Sequence, residues 1–292
     1  MSIGREIATF FEGRWHKDNC PILRAADHAA WLGSQVFDGA RQFEGVRPDL
    51  DLHCARIIRS ARDMGMIPPV NADVLKALIE EGCGLFAPGT ALYLRPMMWA
   101  RESTPGIIDF TPDDTGFAIC IETLPMPDIE GFSLTVSRFR RPHPDTALTL
   151  VKTGALYANN ARIMADARRR GYSNALSLDM DGHVAETAST NVFMIRDGVA
   201  FTPVPNDTFL NGITRQRVIA LLRADGVEVK ETSLTLEDFR AAEEIFCTGN
   251  IAKVMPVARF EDRDLATGKG ASSIAGRARS LYWDHALSRT AA

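Results

Sequence analysis

Apolar residues recur with helical spacing in several segments of the chain. The clearest segment is 50–66, which follows Pro48 and Asp49. Its apolar residues recur at Leu52, Ala55, Ile58, Ala61 and Met64. This period is typical of a helix with one face against a core. The same criterion predicts further helices over 74–86, 153–172, 214–224 and 274–287.

Other segments alternate between apolar and polar residues, which predicts strands. A strand pair is predicted near the start of the chain, with its turn at Glu12-Gly13. Residues 36–43 are typical of strand edges or of a hairpin. Asp197-Gly198 is a strong hairpin signal. The further predicted strands are 90–100, 116–123, 132–141, 175–178, 191–195, 199–201, 227–231 and 244–247. Because strands often follow one another directly, we expect an α+β (mixed α/β) fold with largely antiparallel sheets flanked by helices.

The chain length and one break in the pattern predict two domains. The chain has 292 residues, and a domain takes roughly 100–200 residues. Segment 124–131 contains two prolines and a glycine, which is typical of a linker. We therefore expect a smaller N-terminal domain over 1–123 and a larger C-terminal domain over 132–292.

Composition excludes several classes of function. The 33 basic and 37 acidic residues give a net charge of -4, so no basic surface for nucleic acid is expected. No apolar run approaches the ~18 residues that span a bilayer, and no signal peptide is evident, so we expect a cytoplasmic protein without membrane attachment. The 5 cysteines and 6 histidines are scattered, which predicts reduced, mostly buried thiols and no metal site.

Lys152 is the first candidate for chemistry. It lies among apolar and small residues just before a predicted helix. Burying an ammonium group without a partner is costly, and a desolvated lysine loses its proton more easily and becomes a nucleophile, as Schiff-base chemistry requires. Taken alone, the pattern favours a lysine that extends its ammonium group to solvent.

Further candidates follow Lys152 along the chain. Tyr157 is a phenol in the same predicted helix, and Glu186 precedes a run of small and hydroxyl residues. A carboxylate at a strand end can hold a proton on a ring nitrogen. Residues 212–214 begin a helix, where backbone N–H groups bind phosphate, and residues 248–250 form a second small polar turn. Together these features match the requirements of pyridoxal phosphate.

The order of these motifs resembles the class IV aminotransferases, which are fold-type IV pyridoxal-phosphate enzymes. The family includes branched-chain and D-amino-acid aminotransferases and aminodeoxychorismate lyase. The resemblance extends from VFDGARQFEG at 36–45 to GNIAKVMPV at 249–257. It implies a two-domain fold like that of D-amino-acid aminotransferase, with pyridoxal 5'-phosphate as the cofactor.

The resemblance also implies roles for individual residues around the cofactor. Lys152 resembles the lysine that binds the cofactor as a Schiff base. Tyr157 resembles the tyrosine that hydrogen-bonds the ring oxygen of the cofactor, and Glu186 resembles the glutamate that pairs with its pyridine nitrogen. The residues that resemble the family's phosphate contacts are Arg56, Ile213, Thr214 and Asn250.

The substrate residues follow from two other motifs. In YLRP, Tyr93 and Arg95 alternate on one face of a strand. They resemble the Y-x-R pair of branched-chain aminotransferases, in which the planar guanidinium group helps to hold the substrate carboxylate. Phe37 resembles part of the hydrophobic side-chain pocket, and Arg41 closes the same motif. The chain departs from the branched-chain pattern at four places, which are Asp38-Gly39, residues 154–157, residues 187–191 and Asn250.

The resemblance implies an aminotransferase that moves an amino group from a branched-chain or hydrophobic amino acid to a 2-oxo acid such as 2-oxoglutarate. Two alternatives stay open: a lyase that releases pyruvate from aminodeoxychorismate, and a D-amino-acid or (R)-amine transaminase. The preferred donor and its stereochemistry are not determined. A non-catalytic binding protein would lack the lysine or the glutamate, and both are present. The resemblance further implies a homodimer.

Overall fold

In the computed structural model, residues 6–128, 130–265 and 273–288 are described. The chain divides into two compact units. The first contains the chain up to Met126 together with Val151–Leu156, and the second contains Pro127–Leu150 and the chain from Tyr157 onward. Segment 124–131, of which Ile129 lies outside the described residues, includes the first crossing between the units. Lys152 is grouped with the first unit, whereas the predicted boundary assigns it to the C-terminal domain. The division into 1–123 and 132–292 stays a prediction.

The first unit is built on one antiparallel sheet. Its strands are β1 (Ile7–Phe11), β2 (Arg14–His16), β3 (Gln35–Phe37), β4 (Ala40–Gln42), β5 (Leu92–Ala100) and β6 (Thr115–Thr123). The order is β2-β1-β6-β5, with both β3 and β4 paired to β5. The 36–43 segment therefore forms strand edges and not a hairpin. The break between β3 and β4 lies opposite Pro96, which has no N–H to donate to the sheet.

Three helices belong to this unit. They are α1 (His28–Leu32), α2 (Leu50–Asp63) and α3 (Ala72–Cys83). The predicted helix at 50–66 is confirmed, but the expected apolar face is partly wrong: Leu52 is 43% exposed, whereas Cys54 and Ile57 are buried. The reason is that α2 also buries polar residues, among them Arg56, and these shift the buried face away from the purely apolar stripe.

The second unit contains two sheets of five strands each. Its strands are β7 (Ser133–Val136), β8 (Asn174–Leu178), β9 (Val184–Thr187), β10 (Asn191–Arg196), β11 (Val199–Pro203), β12 (Val229–Thr232), β13 (Glu244–Gly249), β14 (Lys253–Pro256), β15 (Arg259–Phe260) and β16 (Arg263–Asp264). The sheet orders are β12-β11-β10-β13-β14 and β16-β15-β7-β8-β9. The strand predicted over 132–141 is shorter, since β7 ends at Val136. The Asp197-Gly198 hairpin is confirmed, and both residues have the positive φ that its turn requires.

From residue 154 onward, the described residues form four helices, which are α4 (Gly154–Arg169), α5 (Ile213–Ala224), α6 (Leu236–Arg240) and α7 (Ile274–Ser288). The predicted mixture of helices and largely antiparallel sheets is confirmed. Within the described ranges, no helix has both the length and the apolar character needed to cross a membrane.

The cysteines behave as the sequence predicts. All five are free; Cys20 is partly exposed and the other four are buried. Burial raises the pKa of the Cys247 thiol to about 12, so this side chain stays protonated at neutral pH and packs as a small apolar group.

Candidate active site

Lys152 is fixed at its backbone by β3 and α2. Its carbonyl oxygen accepts a hydrogen bond from the Phe37 N–H at 3.0 Å, and its own N–H donates to Ser60 Oγ at 3.3 Å. The half-buried side chain places Nζ 4.8 Å from the centroid of the Phe37 ring. The amine is therefore held beside an aromatic face, and the structure brings together these two predicted site residues.

A buried carboxylate fixes the predicted phosphate-binding arginine. Asp38 is fully buried, and it accepts two hydrogen bonds from Arg56, at 2.6 Å from Nε and 2.8 Å from Nη2. His53 Nδ1 lies 2.7 Å from the same carboxylate. Burial alone raises the pKa of Asp38, but the Arg56 guanidinium and the His53 imidazole offset this and hold the pKa well below its usual value. Asp38 thus stays ionised and orients Arg56.

The Tyr93–Arg95 pair lies on β5, as predicted. The Arg95 guanidinium lies 4.8 Å from the Tyr93 ring centroid and forms an ion pair with Glu122 on β6. Burial lowers the pKa of Arg95, whereas Tyr93, Cys120 and Glu122 raise it, and the net result is a raised pKa. Arg95 is therefore permanently charged and held in place by a buried carboxylate.

Arg41 lies on β4, opposite Tyr93 in the sheet register, and is fully buried. Its Nη2 donates to the Leu124 carbonyl oxygen at 2.7 Å and to Met126 Sδ at 3.0 Å. Its Nε and Nη1 have no hydrogen-bond partner among the residues described. Burial lowers the pKa of Arg41 to about 10, so it remains charged at neutral pH. Buried donors without acceptors are costly, and a carboxylate ligand would satisfy them.

Gly39 packs directly against Tyr93, and we expect substitution there to disturb substrate binding. A Cβ at Gly39 would lie 2.4 Å from Tyr93 Oη. In Gly39→Ala the phenol must move, at a strain of about 1–3 kcal/mol. If that strain appears as lost substrate affinity, KM rises by roughly 5- to 150-fold. Steady-state kinetics measure the change.

The control for this prediction is the same substitution in a Tyr93→Ala background. Without the phenol, Gly39→Ala should add little further loss, because the two residues are in contact. An unchanged KM in the single variant, or an undiminished additional loss in the double variant, would contradict the proposed contact.

In the second unit, Glu186 lies on β9 in a polar and buried setting. Glu186 Oε1 lies 3.4 Å from Arg141 Nε, and Oε2 accepts a hydrogen bond from Asn191 Nδ2 at 3.4 Å. Arg141 is itself fixed by Asn160 Oδ1 at 2.9 Å. The cation and the amide together stabilise the charged carboxylate. Tyr157 is half-buried in the first turn of α4.

Asn191 connects Glu186 with the start of α5. Its Oδ1 accepts a hydrogen bond from the Gly212 N–H at 3.2 Å, and its Nδ2 also donates to the Leu210 carbonyl oxygen at 2.9 Å. A Cβ at Gly212 would lie 2.2 Å from Asn191 Oδ1, so this close approach requires glycine. Ile213 and Thr214 are buried in the first turn of α5, where backbone N–H groups lack intrahelical acceptors.

The end of β13 adjoins Asn191, because Thr248 pairs with Asn191 in the sheet register. Thr248 Oγ1 and Asn250 Nδ2 are buried and have no partner within the described part of the chain. At Gly249 a Cβ would lie 2.7 Å from Thr190 Cγ2. Two buried donors beside a helix start have the chemistry that binds a phosphate dianion. The residues of this unit therefore fit the phosphate group of the expected cofactor.

Sequence reasoning missed several residues that contact the predicted site residues, chiefly Asp38, Glu122, Arg141 and Asn191, whereas Thr248 was predicted as part of the polar turn 248–250. Two of them had a local signal: Asp38 lies within the VFDGAR motif, and Asn191 ends the segment after Glu186. Arg141 and Glu122 had none, because their partners are distant in sequence.

A group of possible metal ligands lies at the turn between β8 and β9. The ligand atoms of Asp179, Asp181 and His183 lie within 4.8 Å of one another. However, the Asp179 carboxylate accepts hydrogen bonds from the His183 N–H at 2.9 Å and from Asn206 Nδ2 at 2.8 Å. These contacts account for its burial without an ion.

Comparison with known proteins gives one family and closely similar structures. The family model for amino-transferase class IV matches residues 35–260. A protein of Rickettsia conorii, named a "Probable branched-chain-amino-acid aminotransferase", is 33% identical over 239 residues, which cover 80% of this chain and 80% of the relative. Sixty curated proteins match this chain significantly.

Solved structures extend the similarity over nearly the whole chain. An aminotransferase of Brucella abortus bound to the cofactor PLP is 50% identical, with a TM-score of 0.94, covering 97% of this chain and 100% of that one. A branched-chain aminotransferase of the archaeon Thermoproteus uzoniensis with norvaline is 26% identical, with a TM-score of 0.87, covering 97% and 95% of the two chains. The expected fold is therefore confirmed.

Proposed function

The chain belongs to the class IV aminotransferases, enzymes that use pyridoxal phosphate, and from this premise we propose that it moves an amino group between a branched-chain or other hydrophobic amino acid and a 2-oxo acid such as 2-oxoglutarate. The observation that carries the proposal is Lys152, whose backbone is held by Phe37 and Ser60 and whose amine lies beside the Phe37 ring. A nucleophilic amine in a fixed position is the group this chemistry requires.

The candidate site residues of the two units have distinct tasks. When bound, pyridoxal phosphate supplies a carbonyl carbon that takes up the amino group and a pyridine ring that accepts electrons. Lys152 binds the cofactor through Nζ, and Glu186 holds the proton on the pyridine nitrogen. Tyr157 donates to the ring oxygen. The phosphate group is assigned to Arg56, Ile213, Thr214 and Asn250.

Lys152 also moves the proton that makes the reaction possible. With pyridoxal phosphate bound, the free Nζ of Lys152 would accept the proton from the substrate Cα and later give it up again, so a single residue would act as base and acid. The Phe37 ring shields one side of the amine from water.

Substrate recognition is assigned to the first unit. Arg95 and the buried Arg41 hold carboxylate groups, because guanidinium groups offer paired donors to both oxygens. The Tyr93 phenol offers one further donor. The Phe37 ring supports an apolar side chain next to the reacting carbon. The names of the relatives, and the norvaline bound to the Thermoproteus protein, support a hydrophobic donor. The family resemblance also supports a homodimer.

A half-reaction screen tests this function. Candidate amines are added one at a time to the purified protein with bound cofactor, and the absorption band of the lysine-bound cofactor is followed. We expect L-leucine, L-valine and L-isoleucine to bleach the band, because an apolar side chain fits beside Phe37, and 2-oxoglutarate to restore it.

Two other outcomes would replace the proposal. Bleaching by D-amino acids or (R)-amines alone would identify a transaminase of opposite stereochemistry. Release of pyruvate from aminodeoxychorismate without any 2-oxo acid acceptor would identify the lyase.

A further inference from the structure

We propose that Lys253 is a positioning residue for the phosphate group of the cofactor and that it acts through the side-chain amide of Asn250. This inference rests on the proposed function, in which Asn250 contacts that phosphate. Lys253 itself touches neither substrate nor the reacting atoms. Its effect is to determine which end of the Asn250 amide is presented to the ligand.

The backbone at Lys253 is unusual for a lysine. Lys253 begins β14 and pairs with Gly249 across a three-residue turn. Its φ is +61°, in the left-handed region, where turns of this length ordinarily place glycine. A strained conformation of this kind persists only where the surroundings fix it, and such residues cluster at functional sites. The turn alone does not require a lysine, so the side chain must supply the reason.

The side chain is buried and directed at Asn250. Lys253 is 1% exposed, and its Nζ donates a hydrogen bond to Asn250 Oδ1 at 2.8 Å. The face of Tyr282 on α7 lies 5.9 Å from Nζ, which helps to stabilise the buried ammonium group. Because α7 and the turn both hold it, Lys253 has little freedom to move away from Asn250.

This contact determines the orientation of the amide. An ammonium group donates hydrogen bonds and accepts none, so the atom of Asn250 that faces Lys253 must be the oxygen. The NH₂ group then points away from Lys253. If the amide turned over, its oxygen would face the ligand, and two acceptors would repel each other there.

A second buried hydrogen-bond donor near this NH₂ group also lacks an acceptor among the described residues. Asn250 Nδ2 is buried and donates to no acceptor in the described residues, and the same holds for Thr248 Oγ1, two residues earlier. Each buried donor left without an acceptor costs free energy. Phosphate oxygens would satisfy both donors at once, and Lys253 keeps one of them correctly oriented.

Calorimetric titration of the full chain, freed of its cofactor, tests the proposal with three probes: pyridoxal phosphate, pyridoxal and inorganic phosphate. In Lys253→Met, which keeps the length of the side chain and removes the donor, we expect affinity for pyridoxal phosphate and for inorganic phosphate to fall about tenfold. Affinity for pyridoxal, which lacks the phosphate, should be unchanged. Lys230→Met, at an exposed lysine, is the matched control and should leave all three affinities unchanged.

A second variant separates positioning from a structural role. Lys253→Gly relieves the left-handed backbone, so a merely structural role predicts full affinity or better, whereas positioning predicts the same tenfold loss as in Lys253→Met. In Asn250→Ala, the further change Lys253→Met should add nothing.

The inference is overturned if Lys253→Met binds pyridoxal phosphate like the wild type, if pyridoxal affinity falls equally, or if Lys253→Gly retains full affinity. Each of these results leaves the proposed function intact, provided that the wild type binds pyridoxal phosphate and transaminates. A wild-type protein that binds no pyridoxal phosphate would overturn both.

Discussion

Lys152→Ala is expected to abolish covalent attachment of the cofactor and to lower kcat by at least about 10³-fold, since one residue supplies both the nucleophile and the acid–base group. Residue 152 contacts Phe37 and Ser60 through its own main-chain atoms, so the variant should keep its fold. The measurements are the absorption band of the bound cofactor, the rate of transamination, and borohydride reduction followed by mass analysis of the peptide that contains residue 152.

Two controls sharpen this prediction. Lys152→Arg keeps a positive charge, but its guanidinium group stays protonated, so it should fail as completely as alanine. Lys230→Ala removes an exposed lysine that pairs with Glu228, and it should leave the band and the rate unchanged. If Lys152→Ala retains the band after borohydride reduction, another lysine carries the cofactor and the assignment is wrong.

The second large effect is expected on stability. Asp38→Asn removes the charge of the carboxylate that contacts both Arg56 and His53, so a buried guanidinium group loses the negative charge that lies against it. Breaking a buried ion pair in this way costs about 3–5 kcal/mol. Urea unfolding of the wild type and the variant at pH 7 measures the difference. Glu228→Gln, which breaks an exposed pair with Lys230, should change the free energy of unfolding by about 1 kcal/mol or less.

The stability difference should also depend on pH. The pKa of Asp38 in the folded protein lies below its value in the unfolded chain, which is about 3.9. Between these two values the unfolded state binds more protons, so the contribution of Asp38 is fully present above about pH 5 and is lost as the pH falls. The gap between wild type and Asp38→Asn should therefore narrow from pH 5 to pH 3. A constant gap over this range would contradict a depressed pKa.

The sequence predicted most elements of the fold, because local patterns determine them. The helices over 50–66, 214–224 and 274–287 and the Asp197-Gly198 hairpin depend on period and turn chemistry within short windows. Residues 36–43 show the limit: the choice between strand edges and a hairpin was decided by Pro96, which lies more than fifty positions away.

The candidate site could be predicted only in part for a similar reason. The family resemblance marked Arg56, and the YLRP motif marked Arg95. The residues that fix these two arginines are Asp38 and Glu122, whose importance depends on burial and on contacts between distant segments. Asn191 is a further example, since it joins Glu186 to Gly212. No rule on sequence spacing identifies a residue whose role is to form hydrogen bonds with two other site residues that are distant in sequence.

The first compact unit is not synthesised as one continuous segment. The first unit includes Val151–Leu156, and β3 bonds to this segment through the bridge between Val36 and Thr153. A nascent chain that has emerged only to Met126 therefore lacks the segment that carries the reactive amine, and 24 residues of the second unit are made before that segment follows. The N-terminal unit is completed only after synthesis of the second has begun, so a strictly sequential, domain-by-domain folding order does not apply to this chain.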